Sequence, residues 1–182
     1  MWSDWRTVTV GPEWKAPVWL GLGSNEGDRR ANLAAALKEL AGLGRIEAVS
    51  DVYETEPVGV TDQPDFWNMA VRMRTELEPR DLLTAVKAIE AALGRMPGTR
   101  WGPRPIDIDI LLFADRILSE EDLQIPHPRM LERAFVLRPL SDIDPGLRHP
   151  TSGLRITELL GAGSFEQSRR LFPGSELMEG GP

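Results

Sequence analysis

The chain has 182 residues, 41% of them hydrophobic and 27% charged, with no cysteine and a formal net charge of −7. That length favours one domain with a sizeable core, and the acidic balance argues against non-specific nucleic-acid binding. The lack of cysteine excludes disulfides and thiolate metal sites, as expected of a cytoplasmic protein, and neither a bilayer-length apolar run nor a signal segment is visible.

Residues 1–17 read as an N-terminal extension of unknown role. They hold Trp2, Trp5 and Trp14, and Thr7–Val10 alternates as an edge strand does, although an arm packed on the domain is the preferred reading. Val18–Gly23 is the first expected strand, ending in a Gly-Ser-Asn turn. Asp28 caps a helix carrying Leu33, Leu37 and Leu40 at helical spacing, and Gly42 ends it. The GLGSNEGD run lacks both the Lys-Ser/Thr of a phosphate-binding loop and a full G-x-G-x-x-G, so its role reads as mainly structural.

Ile46–Tyr53 predicts a second strand, followed by a loop from Glu54 and a third strand over Phe66–Met73. On that strand Asn68 shares a face with Phe66, Ala70 and Arg72. An Asn beside an aromatic suits a heteroaromatic ligand, since its amide both donates and accepts; an Asn satisfying backbone groups is the equally ordinary alternative. Glu78-Pro79-Arg80-Asp81 opens a second helix, with Leu82, Val86, Ile89 and Leu93 on one face and Gly94 at its end. Glu90 falls near that apolar face, where it either pairs with an arginine or lies on a partly exposed flank.

Arg95 to Phe113 is the stretch richest in chemistry. Asp107 and Asp109 alternate on an expected strand and so share a face, with Cα atoms roughly 6–7 Å apart, while Ile106, Ile108 and Ile110 point the other way. Paired carboxylates suit Mg²⁺ together with substrate phosphates. Arg95, Arg100 and Arg104 supply permanently charged forked donors for phosphate oxygens. A D-x-D pair alone is usually a solvated strand face, but its adjacency to the arginines points toward nucleoside triphosphate chemistry. Further on, Ile117-Leu118 starts a hairpin arm, His127 sits in a Pro-rich loop, and a Met130–Leu140 segment carries Arg133 and Phe135. Ile156–Leu160 predicts a short helix, and the Gly/Ser/Glu-rich end from Gly174 is expected to be mobile. The order β-α-β-β-α-β predicts an α+β, ferredoxin-like two-layer sandwich, an antiparallel sheet with helices on one face.

The segments YETEPVG, DQPDFWN, LGR, RWGPRPIDIDILLF, IPHPRM and RAFVLRPL, in that order, resemble the 6-hydroxymethyl-7,8-dihydropterin pyrophosphokinase family over roughly Val18 to Pro145. The resemblance implies the same ferredoxin-like fold, in a domain taken as 18–173 with a tail at 174–182. It implies transfer of pyrophosphate from ATP to the pterin hydroxymethyl group, releasing AMP, in folate biosynthesis. It assigns two Mg²⁺ ions to Asp107 and Asp109, and charge stabilisation to Arg95 and Arg104. ATP would be held by Arg100, Ile110, His127 and Arg133. The pterin would lie among Thr55, Pro57, Val58, Phe66 and Asn68, with Trp101 and Phe135 stacking on it. A closing loop would exclude water; here it reads Met96-Pro97-Gly98-Thr99 where many members carry basic residues, and Pro128 stands where an aromatic often follows the histidine. The expected partners are these small molecules, with neither nucleic acid nor membrane, and a monomer is expected with a homodimer left open. Two alternatives stand beside this reading: a non-catalytic small-molecule sensor and a Mg-dependent phosphotransferase acting on another alcohol.

Overall fold

The computed structural model describes residues 16–57, 59, 61–96, 102–162 and 168–179. Strand β1 (Ala16–Ser24) leads through a tight turn into helix α1 (Arg29–Leu40). The Asp28 carboxylate accepts the Ala31 N–H at 3.0 Å and so satisfies one of the open donors at the helix start. Strands β2 (Arg45–Val49), β3 (Val52–Thr55) and β4 (Phe66–Thr75) follow, then helix α2 (Pro79–Ala92), with Pro79 where its missing N–H costs nothing. Gly94, at φ 94°, closes α2 in the left-handed region that favours glycine. Strand β5 (Asp107–Phe113) has the bounds expected of it. A small hairpin of β6 (Leu118–Ser119) and β7 (Gln124–Ile125), helix α3 (Ala134–Ile143), helix α4 (Ile156–Ala162) and strand β8 (Arg169–Phe172) follow, with 3-10 turns at Met130–Glu132 and Gly174–Leu177.

The main sheet runs β5-β1-β4-β3-β8, with β2 also paired to β4, and every pairing is antiparallel. The central strand β1 lies between β4 and β5, so its residues find lateral partners on both sides. Leu22 pairs with Met69 and Ile108, Gly23 with Asn68 and Asp107, and Gly21 with Ala70 and Asp109. Because strand side chains alternate, these triplets alternate between an apolar face and a polar one. On the apolar face, Leu20, Leu22, Val71, Met73 and Ile108 pack against Leu33 and Leu37 of α1 and Leu82 and Val86 of α2. Each fully buried side chain of this kind contributes about 1.5–3 kcal/mol.

The ferredoxin-like α+β arrangement is therefore present, with α1 and α2 on one face, but the sheet carries a further layer. Trp19, Ala70 and Leu111 on the opposite face form a second cluster with Val136, Leu137 and Leu140 of α3 and Ile156 of α4. The helices thus lie on both faces, not one, because this half of the other face is also apolar. The expected strand over Ile46–Tyr53 divides at Ser50–Asp51. There the Ser50 hydroxyl takes the Ala70 N–H at 2.8 Å, in place of a ladder carbonyl, and the pairing to β4 is interrupted.

The expected mobile end does not hold for Gly174–Leu177, a 3-10 turn in which Leu177 is buried in the main core. Gly174 approaches so closely that a Cβ there would fall 2.0 Å from the Ser50 carbonyl oxygen. β1 also begins at Ala16, inside the segment assigned to the extension. The possible strand over Thr7–Val10 lies outside the described residues. Among the described residues, no helix is long and apolar enough to cross a membrane.

Candidate active site

On the polar face α3 covers only part of the sheet, and the uncovered part is a cleft of about 650 Å³. Its floor is β1, where Gly21 and Gly23 present no side chain. A Cβ at Gly23 would lie 3.0 Å from Asn68 Oδ1 and 3.6 Å from the Phe66 ring, and one at Gly21 would touch Leu111 at 3.4 Å. The two glycines thus keep a trough open between the carboxylates of β5 and the polar residues of β4 and β3. Sequence reading missed this role, although glycines at alternate positions of a strand are the signal for a bare face.

On the β5 side, Asp107 and Asp109 project into the cleft as their spacing requires. Both oxygens of Asp107 are engaged: Arg95 Nη1 donates to Oδ1 at 2.5 Å and Arg104 Nη1 to Oδ2 at 2.9 Å. Burial pushes the Asp107 carboxyl up, but Arg95, Arg104 and Lys87 outweigh it and hold the group below the usual carboxylate range. Asp109 is more open, with its side chain 34% exposed; His127 Nε2 lies at 3.8 Å and Arg133 Nη1 at 3.9 Å, both beyond hydrogen-bonding reach.

Glu90 is 2% exposed, so the ion-pairing alternative for this residue holds over the exposed flank. Its Oε1 accepts the Ile108 N–H at 2.7 Å and an N–H of the Lys87 ammonium at 2.9 Å, and lies 2.7 Å from Arg95 Nη1. Burial raises its pKa, against the pull of Lys87, the Ile108 N–H and Arg95; three donors on one oxygen mark an ionised acceptor. Arg95 is therefore fixed between a carboxylate of α2 and a carboxylate of β5. Asn25, 1% exposed, is a second fixing group that the sequence reading passed over. Its Oδ1 accepts the Arg104 N–H at 2.9 Å, while its Nδ2 donates to Gln63 Oε1 and the Pro64 carbonyl, each at 3.0 Å. The G-S-N turn thus joins the Arg104 loop to the loop before β4.

On the β4 side, Asn68 Nδ2 donates to Thr55 Oγ1 at 2.7 Å, which leaves the amide oxygen over the Gly23 trough beside Phe66. The third wall comes from the chain around α3. His127 N–H donates to the Leu111 carbonyl at 2.9 Å, and His127 Nδ1 accepts the Arg129 N–H at 3.2 Å. Burial lowers the His127 pKa, with Asp109 opposing and Arg133 and Arg129 reinforcing the shift. A neutral ring whose Nδ1 accepts carries its proton on Nε2, the atom turned toward Asp109. The Arg133 guanidinium stands 5.3 Å from the Phe135 ring centroid, and both residues line the cleft. Lys87 and Arg129 line it too, and neither was expected there.

Arg95, Arg104, Asp107, Asp109, His127, Arg133, Thr55, Phe66, Asn68 and Phe135 therefore meet in one cleft. Ile110 does not: its side chain is 5% exposed in the core on the other face, because it is out of phase with the two aspartates. That packing removes its side chain from the nucleotide set. Pro57 is buried and does not line the cleft. Val58, Arg100, Trp101 and Pro97–Thr99 lie outside the described residues. Among the described residues no group of three or more acidic or histidine side chains is placed to enclose a metal. Any cation here would rely on Asp107 and Asp109 with ligand oxygens. The donor set fits such an ion, being two hard carboxylates on one strand face in a cleft of guanidinium groups able to take phosphates.

Comparison with known proteins adds four findings. The sequence profile described as 7,8-dihydro-6-hydroxymethylpterin-pyrophosphokinase (HPPK) matches residues 19–145. The chain is 46% identical over 160 residues to the 2-amino-4-hydroxy-6-hydroxymethyldihydropteridine pyrophosphokinase of Pseudomonas aeruginosa, covering 87% of this chain and 98% of that relative. It is 49% identical over 128 residues to the enzyme of the same name from Bacillus subtilis, covering 69% and 77%. In fold it is similar to the crystal structure of Plasmodium falciparum HPPK-DHPS, with a TM-score of 0.64 at 18% identity, over 80% of this chain and 44% of that one.

Proposed function

The chain belongs to the 7,8-dihydro-6-hydroxymethylpterin-pyrophosphokinase family, and from that premise we propose how its cleft divides the reaction between two substrates. The reaction is transfer of pyrophosphate from ATP to the hydroxymethyl group of 6-hydroxymethyl-7,8-dihydropterin, releasing AMP, a step of folate biosynthesis. The observation that carries the proposal is the pairing of Asp107 with Arg95 and Arg104, beside the more open carboxylate of Asp109.

We assign the ATP triphosphate to the β5 side. Arg95 and Arg104, which pair with Asp107, would pass donors to phosphate oxygens when the triphosphate binds. That exchange frees carboxylate oxygens as it places positive charge on the transferred group and the departing α-phosphate. Asp107 and Asp109 would hold Mg²⁺, up to two ions. Bound there, the metal supplies charge neutralisation for the phosphates and acidifies the attacking alcohol. Glu90 keeps Arg95 in place during the exchange, and His127 and Arg133 contribute an N–H donor and a cation from the α3 side. Arg100, by its place in the motif, joins them.

We assign the pterin to the β4 side. The Asn68 amide, held by Thr55, reads the polar edge of the ring, while Phe66 and Phe135 offer apolar surface and Trp101 is the further stacking candidate. The hydroxymethyl group would then point across the glycine trough toward the phosphates, and alignment of two bound reactants accounts for much of the acceleration. ATP as co-substrate supports a cytoplasmic location. The relatives named above are pyrophosphokinases, which favours neither a sensor nor a kinase for another alcohol. The test is AMP release from ATP and Mg²⁺ with and without the dihydropterin. AMP that appears only with the pterin is the expected result, and tight binding of both substrates without AMP would overturn it.

A further inference from the structure

The seam between α3 and the sheet is largely apolar, built from Trp19, Ala70, Leu111, Val136, Leu137 and Leu140. Apolar packing rewards burial but tolerates rotation and sliding, whereas one directional polar contact fixes register. Such a contact exists at the far end of the helix from the cleft. Tyr53 Oη donates to Asp142 Oδ2 at 2.8 Å, and the backbone N–H of Asp51 lies near the same carboxylate. Asp51 follows Ser50 at the break between β2 and β3, where the sheet offers an amide free of ladder pairing.

Both ends of this contact lead back to the cleft. Tyr53 is the cross-strand partner of Asn68 and lies two residues before Thr55, the residue that holds the Asn68 amide. Asp142 lies seven residues after Phe135 on α3, which is about two turns and brings the two to nearly the same helix face, roughly 10 Å apart along the axis. We propose that Asp142 is a positioning residue: through Tyr53 it sets the rotation and register of α3, and so the place of Phe135 relative to Asn68. The proposal rests on the assignment of Phe135 and Asn68 to the pterin.

Tyr53→Phe, Asp142→Ala and the double variant test this, with Asp142→Asn as the conservative form that keeps an acceptor oxygen. Dihydropterin and ATP binding and both KM values are measured at a temperature where each variant is folded. The expected result is a pterin Kd and KM raised about tenfold, the scale of one hydrogen bond, with the ATP values raised clearly less, since of the residues assigned to the triphosphate only Arg133 adjoins α3. The double variant should be no worse than Asp142→Ala, and Asp142→Asn should recover most of the loss. Pterin affinity unchanged in both single variants overturns the proposal, as does an equal loss for both substrates, which a merely structural role would give. Tyr53→Phe removes a single oxygen and keeps the ring, so it serves even if Asp142→Ala fails to fold. Wild-type protein that binds ATP but no pterin would sink the pterin assignment and this proposal with it, an outcome distinct from intact wild-type binding left unmoved by the variants.

Discussion

The two faces of one sheet are built from the same strands and are chemically opposite. Between Leu20 and Leu22 sits Gly21, between Met69 and Val71 sits Ala70, and between Ile108 and Ile110 sits Asp109. One set is sealed under α1 and α2, while the other is shared between a helix seam and an open cleft. Alternation therefore separates stability from chemistry at single-residue spacing. The sealed face holds rigid the backbone from which the charged face projects, and preorganised charge depends on that rigidity.

Variants of adjacent residues should break stability or chemistry but not both. The largest expected effect is for Asp109→Ala: a loss of about 10²–10³-fold in kcat, the scale of one preorganised electrostatic group, with the unfolding midpoint near that of the wild type. Steady-state AMP release checks it, and undiminished turnover would remove Asp109 from the metal-holding set. Its neighbour on the other face should do the reverse. Ile108→Ala is expected to lose about 2–5 kcal/mol in denaturant unfolding, yet keep near-normal kcat per folded molecule. If the folded variant is inactive, the two faces are not separable in the way claimed.

A subtler variant probes the trough. Gly23→Ala puts a methyl 3.0 Å from Asn68 Oδ1, and we expect pterin KM to rise about tenfold, within the range of a tolerated overpacking, with ATP affected less. Equal KM values for wild type and variant would mean the ring does not lie over Gly23. The smallest effect is at the sheet edge. The Arg169 hydrogen bond draws the Glu54 pKa down, against burial and with help from Trp67 and Arg29. A carboxylate lowered in the folded state stabilises above its unfolded pKa, and that contribution is lost as pH falls through the folded value. Glu54→Gln should thus cost about 0.2–1 kcal/mol at neutral pH and nothing once both forms are neutral in acid. A cost that persists in strong acid would argue for packing instead of charge.

Much of the cleft was legible because its signals are local. Asp107 and Asp109 needed only the strand period, and the bounds of β5 and the Pro79 start of α2 followed from alternation and capping. What escaped depends on partners distant in sequence. Nothing near Ser50 announces that its hydroxyl will replace a ladder carbonyl, since Ile46–Tyr53 reads as one continuous strand. Leu177 carries no sign that it is buried in a core whose other buried members all lie between Val18 and Ile125. The Val136, Leu137 and Leu140 stripe marks a helix with an apolar face, but not which side of the sheet receives it. Asn25 and Glu90 were visible as residues; their roles follow from the loops they join, Gln63 to Arg104 in one case and α2 to β5 in the other.

The register of β1 against β5 shifts by one residue, so that Leu20 faces Ile110 while Trp19 faces Leu112, with Leu111 as the extra residue between them. Past this bulge the strand changes which side it shows, and Phe113 enters the same core as Ile108 and Ile110. The Leu111 carbonyl also receives the His127 N–H. Length at this point is thus a coding element in its own right. Deleting Leu111 would leave every other residue of β5 opposite its present β1 partner, with the aspartates and Phe113 on their own faces, but would take away the carbonyl that anchors the histidine loop. Homologous chains that hold the histidine loop in this way should accordingly keep the extra residue, whatever side chain it carries.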